Sequence, residues 1–218
     1  MAQIFLPYTN VIAKVSLIGG VAFLSFLIWI WYVNYRSPYW TRVNVVLEQP
    51  VPFSHEHHVS GLGIDCRYCH TTVEKVAFAG MPSTETCMTC HSQVWSDAPI
   101  LEPVRASFQT GKPIAWNRVH DLPDFVYFNH SIHVQKGVSC VNCHGRVDRM
   151  PLISQQNNLY MKWCLDCHRS PQKQIRPREE IFNFDWNSQS LSTAEAKNLV
   201  KSYHINVNQL TDCILCHR

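Results

Sequence analysis

The sequence has little glycine and almost no excess charge of either sign. Only 8 of its 218 residues are Gly, so the chain is neither collagen-like nor of low complexity. Lys and Arg number 19 against 16 Asp and Glu, and the resulting net charge of +3 lacks the basic footprint of a nucleic-acid-binding protein. Hydrophobic residues make up 46% and aromatic residues 11%, which excludes an intrinsically disordered chain. The abundant residues are Cys, with 10 copies, and His, with 12.

No cysteine lies outside one motif, Cys-x-x-Cys-His, which occurs five times. The ten motif cysteines are Cys66, Cys69, Cys87, Cys90, Cys140, Cys143, Cys164, Cys167, Cys213 and Cys216. The histidines that complete the five motifs are His70, His91, His144, His168 and His217. This motif is the attachment signature of c-type haem, in which the sulfurs bond to the vinyl groups and the His becomes the proximal iron ligand. The sequence therefore predicts five covalently attached haems c.

Zinc sites and disulfides explain the motif less well. A four-cysteine zinc site needs two Cys-x-x-Cys pairs, so five pairs leave one unmatched, and zinc gives no reason for a His after every pair. A two-residue gap in five places is not a disulfide framework. Because haem c is attached on the outer face of the bacterial plasma membrane, we expect the haem-bearing part on the periplasmic side.

Residues 1–40 are predicted to be a membrane anchor. The stretch 15–33 is uncharged and long enough to cross a bilayer, so we expect a transmembrane helix over about 13–34. Trp29, Trp31 and Tyr32 at its C-terminal end are typical of an interfacial aromatic belt. A cleaved signal peptide has a shorter apolar region and a small-residue cleavage site, so an uncleaved anchor is favoured. With the haems outside, this single-pass chain has a cytoplasmic N-terminus and lies in the plasma membrane.

Two stretches of the chain repeat one unit. Phe-[Ser/Asn]-His-x-x-His-Val occurs at 53–59, ahead of the first haem motif, and at 128–134, ahead of the third. A Met-Pro dipeptide also lies between the two haem motifs of each pair. The sequence therefore predicts a first di-haem module over 41–100, a second over 101–170, and a C-terminal segment over 171–218 that carries the fifth haem.

Secondary structure beyond the anchor is expected to be sparse. So few residues serve each haem that the haems themselves must form most of the core. The predicted fold class is one N-terminal transmembrane helix plus a multihaem cytochrome c domain of short helices and irregular segments. One helix start is visible, because Ser192-Thr-Ala-Glu195 is a capping box.

Seven histidines remain once the proximal ligands are assigned. A second His on each iron gives a low-spin, six-coordinate haem suited to electron transfer. Two pairs are spaced i, i+3, so that in a helical turn both members lie on one side and bridge two different haems. These four predicted distal ligands are His55, His58, His130 and His133. The expected partners are the haem at Cys66 for His55 and the haem at Cys140 for His130.

The fifth distal ligand is less well defined. His120 lies ten residues ahead of His130 and is preferred, whereas His204 and a methionine thioether remain as alternatives. Catalysis would require an open iron position or a substrate-facing acid–base pair, and the sequence indicates neither. Every haem motif ends in His, and candidate distal ligands outnumber the irons.

The His-x-x-His that precedes Cys-x-x-Cys-His resembles the haem modules of cytochromes c₃ and c₇. The whole chain resembles a narrower family, the pentahaem cytochrome c subunit of alternative complex III, a bacterial quinol:electron-acceptor oxidoreductase. The resemblance rests on the anchor, the five motifs, and the stretches 52–70 and 122–130. It implies a subunit on the periplasmic face, beside an iron–sulfur subunit and polytopic membrane subunits that bind menaquinol. Electrons would pass to a mono-haem cytochrome c subunit or a periplasmic carrier of the respiratory chain.

Two other function classes fit the sequence less well. A membrane-anchored quinol dehydrogenase that feeds periplasmic reductases would bind quinol itself, but five haems and the His-x-x-His repeats count against it. A multihaem reductase of a nitrogen or sulfur oxyanion would need a five-coordinate haem. The favoured interpretation is an electron-transfer subunit that is not catalytic alone.

Overall fold

The computed structural model describes residues 5–187 and 190–217. Residues 1–4 of the predicted anchor and residues 188–189 and 218 of the predicted C-terminal segment lie outside the described residues. The chain divides into two compact units, Met1–Arg42 and Val43–Arg218. Apart from residues 41–42, the predicted modules 41–100, 101–170 and 171–218 lie together in the second unit, and their boundaries stay a prediction.

The first unit is dominated by one long apolar helix. Helix α1 spans Tyr8–Tyr35, 28 residues, and at 1.5 Å per residue it is about 42 Å long. It is long and apolar enough to cross a membrane, and none of its residues is buried. Near its C-terminal end the Arg36 guanidinium donates to the Tyr32 hydroxyl at 2.7 Å. A short helix α2, Pro38–Thr41, follows.

The second unit consists of short helices joined by irregular segments. Its α-helices are α3 (Cys66–Cys69), α4 (Thr84–His91), α5 (Glu102–Thr110), α6 (His130–Gln135), α7 (Cys140–His144), α8 (Met161–Arg169) and α9 (Thr193–Ser202). A π-helical turn covers Glu56–Gly61, and 3₁₀ turns cover Pro99–Leu101, Val147–Arg149, Pro171–Lys173, Arg178–Glu180 and Cys213–Leu215. Over the described residues there are isolated β-bridges but no strands. The predicted arrangement of one long apolar N-terminal helix followed by short helices and irregular segments is confirmed.

Helix α9 begins where the sequence predicted. The Ser192 side chain accepts from the backbone N–H of Glu195, and the Glu195 carboxylate accepts from the backbone N–H of Ser192 at 2.8 Å. This reciprocal pair satisfies two N–H groups that a helix N-terminus otherwise leaves unpaired. Behind α9, the Tyr203 hydroxyl donates to the carbonyl oxygen of Arg176 at 3.0 Å, which fastens the helix end to the body of the domain.

The two repeats are interlocked. The loop after the first haem motif reaches α6 of the second repeat, where the backbone N–H of His130 donates to Ala77 at 3.0 Å. The segment after the third haem motif in turn reaches the π-helical turn of the first repeat, where the N–H of Glu56 donates to Met150 at 3.1 Å. Each His-x-x-His turn is therefore held by the other repeat, and this explains why the unit does not divide at residue 100.

The apolar core is small for a domain of this length. The buried apolar side chains among the described residues are Val51, Val73, Leu101, Val104, Val134, Ile175, Ile181, Ala196 and Tyr203. They form small clusters, one of which packs α4 against α5. Large apolar side chains such as Phe78, Trp95 and Phe125 are more than 60% exposed. Large apolar side chains are normally packed against another apolar surface, and a prosthetic group of the predicted kind would supply that surface.

Candidate haem sites

The five Cys-x-x-Cys segments adopt similar local structure. The first Cys begins α3, α7 and the 3₁₀ turn Cys213–Leu215, while the other two motifs occupy the last turns of α4 and α8. Positions i and i+3 of a helical turn lie on one side, so both sulfurs of each motif face one ligand. None of the ten cysteines forms a disulfide with another, so all ten sulfurs are available for covalent attachment.

Each predicted proximal histidine has a hydrogen-bond partner for its Nδ1. Four of them meet backbone carbonyl oxygens, with Nδ1···O distances of 2.7 Å for His70–Gly80, 2.9 Å for His91–Val94, 2.7 Å for His168–Leu210 and 3.2 Å for His217–Phe125. A carbonyl oxygen only accepts, so these four rings carry their proton on Nδ1. The opposite nitrogen, Nε2, is then a free base ready to bind a metal, which is the usual arrangement of a metal-ligating histidine.

The two His-x-x-His repeats have nearly identical ring geometry. In the first repeat the Phe53 ring lies 4.9 Å from His55 at 88° and 4.4 Å from His58 at 27°. In the second, the equivalent Phe128 ring lies 4.8 Å from one histidine at 89° and 4.4 Å from the other at 26°. The phenylalanine thus separates and orients the two imidazoles in each repeat, which is why the motif includes it.

Hydrogen bonds fix the second histidine of each repeat in the same way. Nδ1 of His58 lies 2.8 Å from the Ser54 carbonyl oxygen, and Nδ1 of His133 lies 2.7 Å from the Asn129 carbonyl oxygen, both four residues earlier. Nδ1 of His130 lies 2.9 Å from the carbonyl oxygen of Ala77. These candidates, like the proximal ones, keep Nε2 free.

Three imidazole pairs have the spacing of two ligands on one iron. A histidine nitrogen lies about 2 Å from a bound transition metal and its ring centroid about 1 Å further, so two trans imidazoles have centroids about 6 Å apart. The observed centroid distances are 6.2 Å for His58–His91, 6.1 Å for His133–His168 and 6.4 Å for His130–His144. In each pair one member is a predicted distal ligand and the other a motif histidine.

His55 is the remaining member of the two repeats. Its Nδ1 is buried without a hydrogen-bond partner, which is unfavourable in itself. Burial, with His70 and His58 close by, lowers the pKa of His55 to about 4, so its ring is neutral. A neutral imidazole beside His70 is the form that binds a metal, and this gives a reason for keeping it buried.

His120 is placed differently from the other predicted ligands. Its Nε2 lies 3.2 Å from Nδ1 of His144, and the two ring centroids are 4.3 Å apart at 77°. That separation is too short for an iron between the two rings. The role of His120 as a fifth distal ligand stays a prediction. The partner of His120 in this structure is Nδ1 of His144, the nitrogen opposite the one expected to bind iron.

Burial separates the predicted ligands from the other histidines. All ten predicted iron ligands are partly buried, whereas His57 and His204 are exposed. Among the methionines considered as thioether donors, Met88 packs against the cluster of Val51, Leu101 and Val104. Its sulfur therefore has a packing role in the core.

The site around the third haem motif favours neutral groups. Burial raises the pKa of the Cys140 and Cys143 thiols to about 12, and it lowers the pKa of His144 to about 3. These shifts indicate that the three side chains lie away from water, which is the environment that a hydrophobic ring system requires. The paired sulfurs, the free Nε2 atoms and the ring spacings together fit a c-type haem.

The family comparison agrees with this geometry. The model of "Cytochrome c7 and related cytochrome c" matches residues 51–100 and 126–218, more than half of the chain. The chain belongs to this family. Members carry covalently bound c-type haem, so the matched segments, which contain all five Cys-x-x-Cys-His motifs, are cytochrome c segments. The number of haems bound stays a prediction.

One curated relative adds a functional context. The chain is 40% identical over 98 residues to the menaquinone reductase, multiheme cytochrome c subunit, of Nitratidesulfovibrio vulgaris strain Hildenborough. The match covers 44% of this chain and 46% of that protein, so the chain spans less than half the length of this relative. This cytochrome therefore resembles an electron-transfer subunit of a quinone-linked complex.

Two parts of the site were not visible in the sequence. The carbonyl acceptors of the proximal histidines are backbone atoms, and nothing in the residue types marks them. The contact between His120 and His144 joins residues 24 positions apart and has no motif. His120, which the sequence analysis preferred over His204, is partly buried, whereas His204 is exposed.

Proposed function

We propose that this protein is a membrane-anchored pentahaem cytochrome c that relays electrons within a quinol oxidoreductase complex of the alternative complex III type. The chain supplies attachment, axial ligands and spacing for five haems, and the haems supply the redox chemistry. Quinol oxidation belongs to the partner subunits, and the chain is not catalytic alone.

The observation that carries the proposal is the position of α6. His130 pairs with the histidine of the third motif and His133 with that of the fourth, at 6.4 Å and 6.1 Å between ring centroids. One helical turn therefore supplies ligands to two successive haems and holds them close to each other. Short separations between redox centres that are closed to substrates are what an electron relay requires.

The first repeat supports the same arrangement. His58 pairs with His91 at 6.2 Å, and His55 lies beside His70. With the second repeat this accounts for four irons with two histidines each. Such irons have no position for a substrate, which argues against an oxyanion reductase.

The anchor and the partners complete the proposal. Helix α1 would hold the domain at the plasma membrane, with the N-terminus in the cytoplasm and the haems on the periplasmic side. The partners would be an iron–sulfur subunit, polytopic quinol-binding membrane subunits and a mono-haem cytochrome c subunit. The support is the membrane-spanning length of α1 and the relative that is named as a subunit of a menaquinone reductase.

The test uses the intact complex, purified from membranes in detergent through a tag on this chain. A menaquinol analogue is added, and haem reduction is followed optically. The proposal predicts rapid reduction in the complex and none when the isolated chain is mixed with the same quinol. Equal rates in both samples would contradict it, because the quinol site would then lie on this chain.

A second candidate reverses the direction of flow. The relative is named a menaquinone reductase, which places electrons on the quinone rather than removing them. In that case the periplasmic carrier would reduce the haems and the membrane subunits would form menaquinol. The same complex distinguishes the two directions. The second candidate predicts that a reduced periplasmic carrier drives the formation of menaquinol, whereas the first predicts that menaquinol drives the reduction of the carrier.

A further inference from the structure

The proximal histidine of the third haem motif differs from the other four. His70, His91, His168 and His217 each direct Nδ1 to a backbone carbonyl oxygen. Of the five motif histidines, only His144 directs its Nδ1 to a side chain, the Nε2 of His120 at 3.2 Å. One of the five haems would therefore have a different hydrogen-bond partner behind its proximal ligand.

The direction of this hydrogen bond follows from the ligand role of His144. If Nε2 of His144 binds the iron, its proton must be on Nδ1, so Nδ1–H donates and His120 Nε2 accepts. His120 is then neutral, with its own proton on Nδ1. The His144 ring is also nearly parallel to the His130 ring, at an interplanar angle of 7°, so an iron bound between them would take its two axial ligands from this pair.

The loop that carries His120 is fastened in place. Three residues ahead, the backbone N–H of Asn117 donates to Gln49 Oε1 at 2.9 Å, and Gln49 Nε2 donates to the Asn117 carbonyl oxygen at 2.8 Å. The Asn117 side chain also donates to the Glu48 carbonyl oxygen at 2.6 Å. Two-way bonding of this kind fixes the loop, so the contact of His120 with His144 does not depend on a mobile segment.

We propose that His120 is a positioning residue that accepts the Nδ1–H of His144 and thereby sets the reduction potential of the haem attached at Cys140 and Cys143. An imidazole nitrogen is a stronger base than an amide carbonyl oxygen, so it transfers more negative charge to the proximal ligand. A more basic axial ligand stabilises ferric over ferrous iron and lowers the potential. This inference rests on the proposed function, and it gives one haem of the relay a potential below the one that a carbonyl partner would set.

The test compares variants of the haem-loaded full chain. His120→Phe removes the acceptor, His120→Gln replaces it by an amide oxygen, and His57→Phe serves as a control at an exposed histidine. The individual potentials are measured by redox titration followed by electron paramagnetic resonance, and open irons are counted by carbon monoxide binding to the reduced protein.

The proposal predicts that His120→Phe raises the potential of one haem, that His120→Gln raises it less, and that His57→Phe changes none. Carbon monoxide binding stays at the wild-type level in all three. If His120→Phe or His120→Gln instead opens one iron to carbon monoxide, His120 is an axial ligand and the proposal is wrong. Unchanged potentials in both variants overturn it as well. If the Phe variant does not assemble, the Gln variant alone decides.

These outcomes are separate from the failure of the relay. A wild-type protein that binds carbon monoxide at several irons would contradict the proposed function and leave the hydrogen bond of His120 intact. A shifted potential in a variant that still accepts electrons in the complex would support both.

Discussion

Replacing either histidine of α6 is expected to open one iron, and each replacement should open a different one. His133 faces His168 at 6.1 Å, whereas His130 faces His144 at 6.4 Å. Since an alanine cannot reach a metal that lies about 3 Å from the former ring centroid, each variant leaves one five-coordinate haem. We expect one additional haem per chain to become high-spin and to bind carbon monoxide when reduced, and two additional haems in the double variant.

The assay is optical titration of the dithionite-reduced full chain with carbon monoxide, with electron paramagnetic resonance of the oxidised protein as a check. His57→Ala is the matched control, because its ring is exposed and should leave the spectra unchanged. The reasoning is refuted if the double variant opens only one iron, since both histidines would then serve the same haem. It is refuted equally if both single variants remain fully low-spin.

Three further predictions concern the folded domain. Gly137→Ala should lower the free energy of unfolding by about 2–4 kcal/mol, because φ is +82° and an added Cβ would lie 2.7 Å from a backbone oxygen; chemical denaturation measures this. Arg146→Ala should cost about 2–3 kcal/mol, because it removes the 2.6 Å partner of the Asp148 carboxylate, whose side chain is only 8% exposed; thermal unfolding followed by circular dichroism measures the loss. Acidification should destabilise the domain, because burial lowers the pKa of His55 to about 4 and an iron bound to this ring would keep it unprotonated as well. The unfolded state therefore takes up the proton first, so this contribution is complete above pH 6.5 and is lost as the pH falls below that value, by at most about 1.4 kcal/mol per pH unit; denaturant titrations at pH 7 and pH 5 measure the difference.

Two controls separate these effects from general sensitivity to substitution. Gly111→Ala has a similar φ of +68° but nothing within 4 Å of the added Cβ, so it should cost only the backbone strain. Arg118→Ala breaks a 2.9 Å ion pair whose carboxylate partner is 58% exposed, so it should change stability by less than about 1 kcal/mol. If Gly137→Ala loses no more stability than Gly111→Ala, the steric argument is contradicted. If Arg146→Ala loses no more than Arg118→Ala, the argument from the buried carboxylate is contradicted. A domain as stable at pH 5 as at pH 7 would contradict the acid prediction.

Short-range patterns predicted much of the structure. The capping box at Ser192 and Glu195 begins α9 as expected, because both partners lie within one helical turn. The anchor was expected over about 13–34, and α1 extends somewhat further at both ends, to Tyr8 and Tyr35, since polar residues continue a helix that apolar residues establish. The equivalent ring geometry around Phe53 and Phe128 follows the repeat in the sequence.

Long-range contacts were not predictable. The interlocking of the repeats depends on backbone groups, such as the Ala77 carbonyl oxygen that accepts from His130, and any residue type supplies these groups. The hydrogen bond between His120 and His144 depends on a loop whose Asn117 is hydrogen-bonded to Gln49, 68 residues earlier in the chain. Spacing along the chain places His120 ten residues ahead of His130, but it does not determine that His120 meets the Nδ1 side of the His144 ring.

The central claim is that the chain encloses its irons for electron transfer rather than catalysis. Carbon monoxide binding to the dithionite-reduced wild-type protein, set against its measured haem content, tests this directly. The account predicts five haems per chain and carbon monoxide binding by no more than one of them, since the two repeats close four irons with paired histidines. Binding by two or more haems would contradict the pairing and would favour a reductase with open iron positions.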